Sequence, residues 1–147
     1  PLLAPGDNVA WQVQLGAGVA VDDVVALGCA AIELPHADPG PAAAVLRGAR
    51  ESGLLHASEV TRLEVLSGMR AREEDATRAL FRAFVWHPVD EKIAEIAGEL
   101  GRQWLPGNRG IDSADLTIAA TAIALEVEVL TRNIKHFPMF DGLSAPY

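Results

Sequence analysis

The chain has 147 residues, 50% of them hydrophobic and 22% charged, with a formal net charge of −8 at pH 7. A chain of that length and balance folds as one domain around its own core, which excludes a disordered or fibrous protein. The acidic balance excludes attachment to nucleic acid by bulk charge alone, and the lone cysteine, Cys29, excludes an internal disulfide and fits a reducing, cytoplasmic setting.

The first residues lack a basic stretch and are interrupted by Asp7, so no secretory signal is expected. Asp22 and Asp23 break the longest early apolar run, so no membrane span is expected. Residues 1–16 carry Pro, Gly and Asn breakers without a period and read as irregular. Val19 to Leu27 is rich in β-branched residues and is the expected first strand. Ala30 to Leu34 begins a helix that Pro35 cuts off. Asp38-Pro39-Gly40-Pro41 is a turn, and it opens a helix from Ala42 to Ser52 that Gly53 closes.

Leu54 to Ala57 follows as a short strand. Glu59 to Met69 has helical spacing, with Val60, Leu63, Leu66 and Met69 as its apolar side. Glu73 to Phe84 is a second amphipathic helix, with Ala76, Leu80, Phe81 and Phe84 as its stripe. Val85 to Val89 is a strand, and Asp90 caps a helix whose inner face is Ile93, Ile96, Ala97, Leu100 and Trp104. Pro106 to Gly110 is a loop, Ser113 to Leu125 an apolar helix, and Val127 to Thr131 the last strand. Strands that alternate with helices predict an α/β fold, with a parallel sheet covered on both faces.

The chemistry is expected near the ends of those strands, where open α/β sheets gather polar groups. Asp115 heads the core-facing stripe Ile118, Ala119 and Ala122, either as a first-turn acid that complements the helix dipole or as a ligand. Glu64 lies on the edge of an apolar face, as a solvated flank residue or as a second ligand. Asn133 follows the last strand, closing it as an Asx turn or donating an oxygen. Together Glu64, Asp115 and Asn133 supply the hard oxygen donors that Mg²⁺ and Mn²⁺ select. Such ions also let an acidic protein hold phosphate. His36, His56, His87 and His136 share no ligand spacing, so zinc is not expected. A phosphorelay receiver would need a strand-end aspartate with a Met-Pro-type turn between residues 54 and 90, and none is there.

Three stretches carry a family resemblance: Thr61-Arg-Leu-Glu64-Val-Leu-Ser-Gly68, Asp115-Leu-Thr-Ile-Ala-Ala-Thr-Ala122 and Leu130-Thr-Arg-Asn133-Ile-Lys-His-Phe137-Pro-Met-Phe140. In order and spacing they resemble PIN-domain ribonucleases, nearest the VapC-type toxins of bacterial toxin–antitoxin systems, over about Asp38 to Tyr147. The resemblance implies a three-layer α/β/α fold around a central parallel sheet. It implies an endoribonuclease dependent on Mg²⁺ or Mn²⁺, an RNA substrate, a homodimer and a cognate antitoxin. By position it makes Glu64, Asp115 and Asn133 the site acids and amide, with Thr131 a polar neighbour and Asp112 an auxiliary acid or helix cap. It divides the chain into residues 1–24, an irregular or non-native N-terminal segment, and residues 25–147, the PIN-like domain.

One departure stands out. The family's first strand ends in an aspartate, and the matching position here is Gly28, which offers no ligand. Either Asp22 or Asp23 replaces it through a shifted register, or the N-terminal sequence is an artefact, or the protein is a catalytically impaired scaffold that binds antitoxin or RNA without cutting. Arg62, Arg132 and Lys135 either steer a phosphate backbone or serve surface solubility, and the apolar residues of the Glu73–Phe84 helix are either a docking groove for a partner or core or dimer contacts.

Overall fold

The computed structural model describes residues 11–13, 54–131 and 133–145. Four strands, β1 (Trp11–Val13), β2 (Leu55–Ser58), β3 (Phe84–His87) and β4 (Glu128–Leu130), form one sheet in the order β3-β2-β1-β4. Every pairing is parallel, with Leu55 beside Phe84, and Trp11 between Leu55 and Glu128. Parallel neighbours need crossovers of a dozen residues or more, normally helical. From β2 to β3 the chain makes α1 (Glu59–Gly68), a 3-10 turn (Ala71–Glu73) and α2 (Glu74–Phe81). From β3 to β4 it makes α3 (Glu91–Trp104), a second 3-10 turn (Leu105–Gly107) and α4 (Ser113–Leu125), and a third 3-10 turn (Ile134–His136) follows β4. Among the described residues, no helix is long and apolar enough to cross a membrane.

Most elements sit where their sequence periods put them, and local caps explain several of the boundaries. Ser58 accepts from the Val60 N–H to start α1, and Asp90 Oδ1 accepts from the Ile93 N–H at 2.9 Å to start α3. α4 is apolar on nearly every side, the signature of a helix enclosed by protein. Leu116 and the run Ile118 to Ala122 are buried. It ends where Glu126 turns into the left-handed region at φ 56° and returns its N–H to the last turn. Ile118, Ala119 and Ala122 meet Val129 and Phe137 in one cluster, and Val65 and Phe81 meet Trp86 in another.

Three expectations need correction. The stretch read as irregular contains Trp11–Val13, which pairs on both sides in the middle of the sheet. The expected first strand at Val19 to Leu27, the helices at Ala30 to Leu34 and Ala42 to Ser52, and the candidates Asp22, Asp23 and Gly28 lie outside the described residues. α1 turns Thr61 and Val65 inward rather than Leu63 and Leu66, and Leu63 is 63% exposed. A stripe spaced by threes and one spaced by fours coexist on that helix, and contact with α4 and β2 selects the second. The predicted helix through Phe84 stops at Phe81, because Phe84 joins β3 beside Leu55. Leu80 and Phe81 are buried, so these two residues of the α2 stripe belong to the core.

Candidate active site

With all described strands parallel, their C-terminal ends share one edge. α1 leaves that edge from β2. α4 runs back into β4, so its N-terminus starts there too, and the chain after β4 emerges beside it. Glu64 of α1, Asp112 and Asp115 at the start of α4, and Thr131 and Asn133 beyond β4 are therefore drawn to the same region by topology.

Asp115 is fully buried. It forms a reciprocal capping box with Asp112: Asp112 Oδ1 accepts from the Asp115 N–H at 2.9 Å, and Asp115 Oδ2 accepts from the Asp112 N–H at 3.0 Å. Asp112 is thus the helix cap, one of its two expected roles, and its carboxylate also acts on the site by charge. The same Oδ2 of Asp115 lies 2.8 Å from His136 Nδ1.

Glu64 is half-buried, and its Oε2 is enclosed without a hydrogen-bond partner among the described residues, as is the Thr61 hydroxyl one turn earlier. Burial pushes its carboxyl up from 4.5 to about 7, with the negative charges of Asp112 and then Asp115 adding to the rise. The three carboxylates are therefore close enough to repel one another in a poorly solvated place. This arrangement sets aside the reading of Glu64 as a solvated flank residue.

Thr131 is buried, and its Oγ1 accepts the Asn133 N–H at 3.0 Å. The turn after β4 is thus closed by the threonine hydroxyl, and Asn133, half-buried, heads the 3-10 turn without a side-chain cap bond. Arg62 is not extended toward a ligand. Its Nε lies 2.6 Å from Glu59 Oε2 and its guanidinium stacks 3.9 Å from the Trp86 ring centroid. Lys135 is exposed, and Arg132 is outside the described residues.

Sequence reading missed His136. A search for histidine spacing could not find it, since its partner is an aspartate 21 residues away. His56 and His87 are half-buried strand residues, and their rings meet at 2.7 Å across β2 and β3. Burial lowers both pKa values, and for His56 the neighbouring His87 lowers it further.

Among the described residues, no three His, Cys, Asp or Glu side chains stand together as a group that could hold a metal ion. A site for Mg²⁺ does not require three, since that ion keeps several waters and is commonly bound through one or two carboxylates. The crowding of Glu64 by Asp112 and Asp115 and the unpartnered Glu64 Oε2 fit a small divalent cation, which would relieve both.

Comparison with known proteins agrees with this architecture. A PIN domain match spans residues 29–141. The chain is 45% identical over 118 residues to ribonuclease VapC19 of Mycobacterium tuberculosis, covering 79% of this chain and 94% of that protein. It is 36% identical over 102 residues to ribonuclease VapC10 of the same organism, covering 69% and 77%. Its fold matches the crystal structure of VapBC2 from Rickettsia felis bound to a DNA fragment from their promoter, with TM-score 0.63 and 17% identity over 86% of this chain and 90% of that one. β1 lies upstream of the PIN match, so residues before the matched segment supply one of the two inner strands of the described sheet.

Proposed function

Because this chain belongs to the PIN domain family, and within it to the VapC-type ribonucleases, we propose that it is an endoribonuclease dependent on Mg²⁺ or Mn²⁺ and the toxin of a toxin–antitoxin pair. The observation that carries this reading is the crowding of Glu64 by Asp112 and Asp115 at the C-terminal edge of the sheet. Carboxylates forced together in a poorly solvated position cost stability unless a cation joins them.

In this reading Glu64 and Asp115 would hold the ion, with Asn133 as an assisting oxygen donor. A bound divalent ion supplies Lewis acidity to the phosphate and to water. The residues of the chain do the rest. Asp112 fixes the first turn of α4 and adds to the negative potential that draws the cation in. Thr131 holds Asn133 at the head of its turn. Lys135, exposed in the turn that Asn133 heads, is a candidate to meet an RNA phosphate, whereas Arg62 is occupied by Glu59 and Trp86. The partners in this reading are an RNA substrate, a cognate antitoxin and a second copy of the chain, in a reducing cytoplasm. The VapBC2 complex of Rickettsia felis supports the antitoxin, and the lone Cys29 supports the compartment.

A second reading, an impaired scaffold that binds without cutting, draws support from Gly28 and from the lack of a three-ligand group among the described residues. One experiment separates the two. Purified protein is incubated with a structured RNA in Mn²⁺, in EDTA, and as Asp115→Asn in Mn²⁺. Cleavage that needs Mn²⁺ and is lost in the variant, by about a hundredfold or more, supports the enzyme. No cleavage by the wild type at millimolar Mn²⁺, with calorimetric binding of the intact RNA, supports the scaffold.

A further inference from the structure

His136 ends the 3-10 turn after β4, and its Nδ1 lies 2.8 Å from Asp115 Oδ2. A carboxylate oxygen in this contact can only accept, so Nδ1 carries the proton whether the ring is neutral or charged. The Asp112 N–H reaches the same oxygen at 3.0 Å. Donors from two separate segments, the start of α4 and the turn beyond β4, thus converge on one atom. A carboxylate turns easily about its last side-chain bond. Two bonds to Oδ2 from different directions fix the plane of the group and hence the direction of its other oxygen.

The second donor lies outside the helix cap. The capping box is complete without it. Phe137, the next residue, is 1% exposed and packs with Ile118, Ala119, Ala122 and Val129, so it already anchors the turn to the core. The imidazole is instead directed at an aspartate that the cap has already seated. A Cβ added to Gly110 would lie 3.6 Å from Nε2, so the Pro106–Gly110 loop borders the outer edge of the ring.

We infer that His136 is a positioning residue, whose Nδ1–H clamps Asp115 through Oδ2 in the orientation in which Asp115 serves as a metal ligand beside Glu64. The inference rests on the metal-dependent reading above. His136 itself touches neither ion nor substrate. It couples the segment that carries Asn133 to the helix that carries Asp115, so the two sides of the site cannot drift apart independently.

The test compares the wild-type chain with His136→Asn and His136→Gln. The Asn amide nitrogen lies near the Nδ1 position and the Gln amide nitrogen near the Nε2 position, so two similar amides differ in the one bond at issue. Mn²⁺ affinity is measured by calorimetry, the melting temperature beside it, and the ring tautomer of metal-free wild type by nitrogen NMR. The expected results are a proton on Nδ1, affinity within about threefold of wild type in the Asn variant, and a loss of about tenfold to a hundredfold in the Gln variant, the range found for partners that orient metal ligands. A ring protonated only at Nε2, or equal affinities in both variants, overturns the inference while leaving the metal site standing. Wild type that binds no Mn²⁺ at millimolar concentration removes the metal reading, and the inference with it.

Discussion

Replacing Glu64 with Gln should stabilise the metal-free protein in alkaline solution while removing its activity. Glu64 holds its proton in the folded protein up to about 7, against 4.5 ordinarily. Between those values the folded state binds more protons than the unfolded state, so stability falls as pH rises through the interval and the loss is complete above about 7. Linkage caps the effect at about 3 kcal/mol. Because Glu64 keeps some contact with water, which screens its neighbours, about 1–2 kcal/mol is expected. The glutamine side chain has the same shape and does not titrate. The two proteins should therefore match below pH 4.5, and the variant should lead by about 1–2 kcal/mol at pH 8. Urea unfolding in EDTA from pH 4.5 to 8 measures this, since titrating groups remote from Glu64 contribute to both proteins alike. A constant gap between the two curves, or a variant less stable at pH 8, would refute the crowding argument. Millimolar Mn²⁺ should then raise the unfolding midpoint of the wild type and leave that of the variant unmoved.

Arg62→Ala should lower stability by about 1–2 kcal/mol through loss of stacking on Trp86 and Phe81, visible as a drop of roughly 3–6 °C in melting temperature. RNA cleavage per folded molecule should be unchanged, and a large fall in cleavage at unchanged stability would return Arg62 to the list of phosphate contacts. Asp90→Ala removes the acceptor for the Ile93 N–H at the start of α3 and should cost about 1 kcal/mol in urea unfolding. Mn²⁺ affinity should not follow, because no described contact joins Asp90 to the site carboxylates.

The stretch from Asp90 to Asn133 was largely legible as sequence because each boundary there is set locally. Asp90 and Asp112 cap their own helices, and α4 is apolar around its circumference. α1 was half legible. Its length follows from Ser58 and Gly68, but two stripes compete on it, and the inward one carries a threonine and a glutamate that a hydrophobic pattern discounts. β1 was not legible. Three residues among Pro, Gly and Asn breakers have no period to read, and their place comes from pairing with β2 and β4. His136 fell in the same class, since the contact with Asp115 exists only once the chain has passed through α4 and β4.

The acids of the candidate site are treated differently by the fold. Asp115 and Asp112 satisfy each other through backbone N–H groups, so their charges are tolerated at the start of a buried helix, where the dipole also favours them. Among the described residues Glu64 receives no such donor on Oε2, and it lies mid-helix, where the dipole gives it little help. Burial, with the charges of Asp112 and Asp115 beside it, therefore pushes the Glu64 carboxyl up to about 7. A cation entering between Glu64 and Asp115 would find one ligand already fixed and one still protonated over much of the range below neutrality. Metal binding should accordingly release close to one proton at pH 6 and almost none at pH 9, which calorimetry in buffers of different ionisation enthalpy can count. Equal release at both values would mean that Glu64 is not the residue the ion meets.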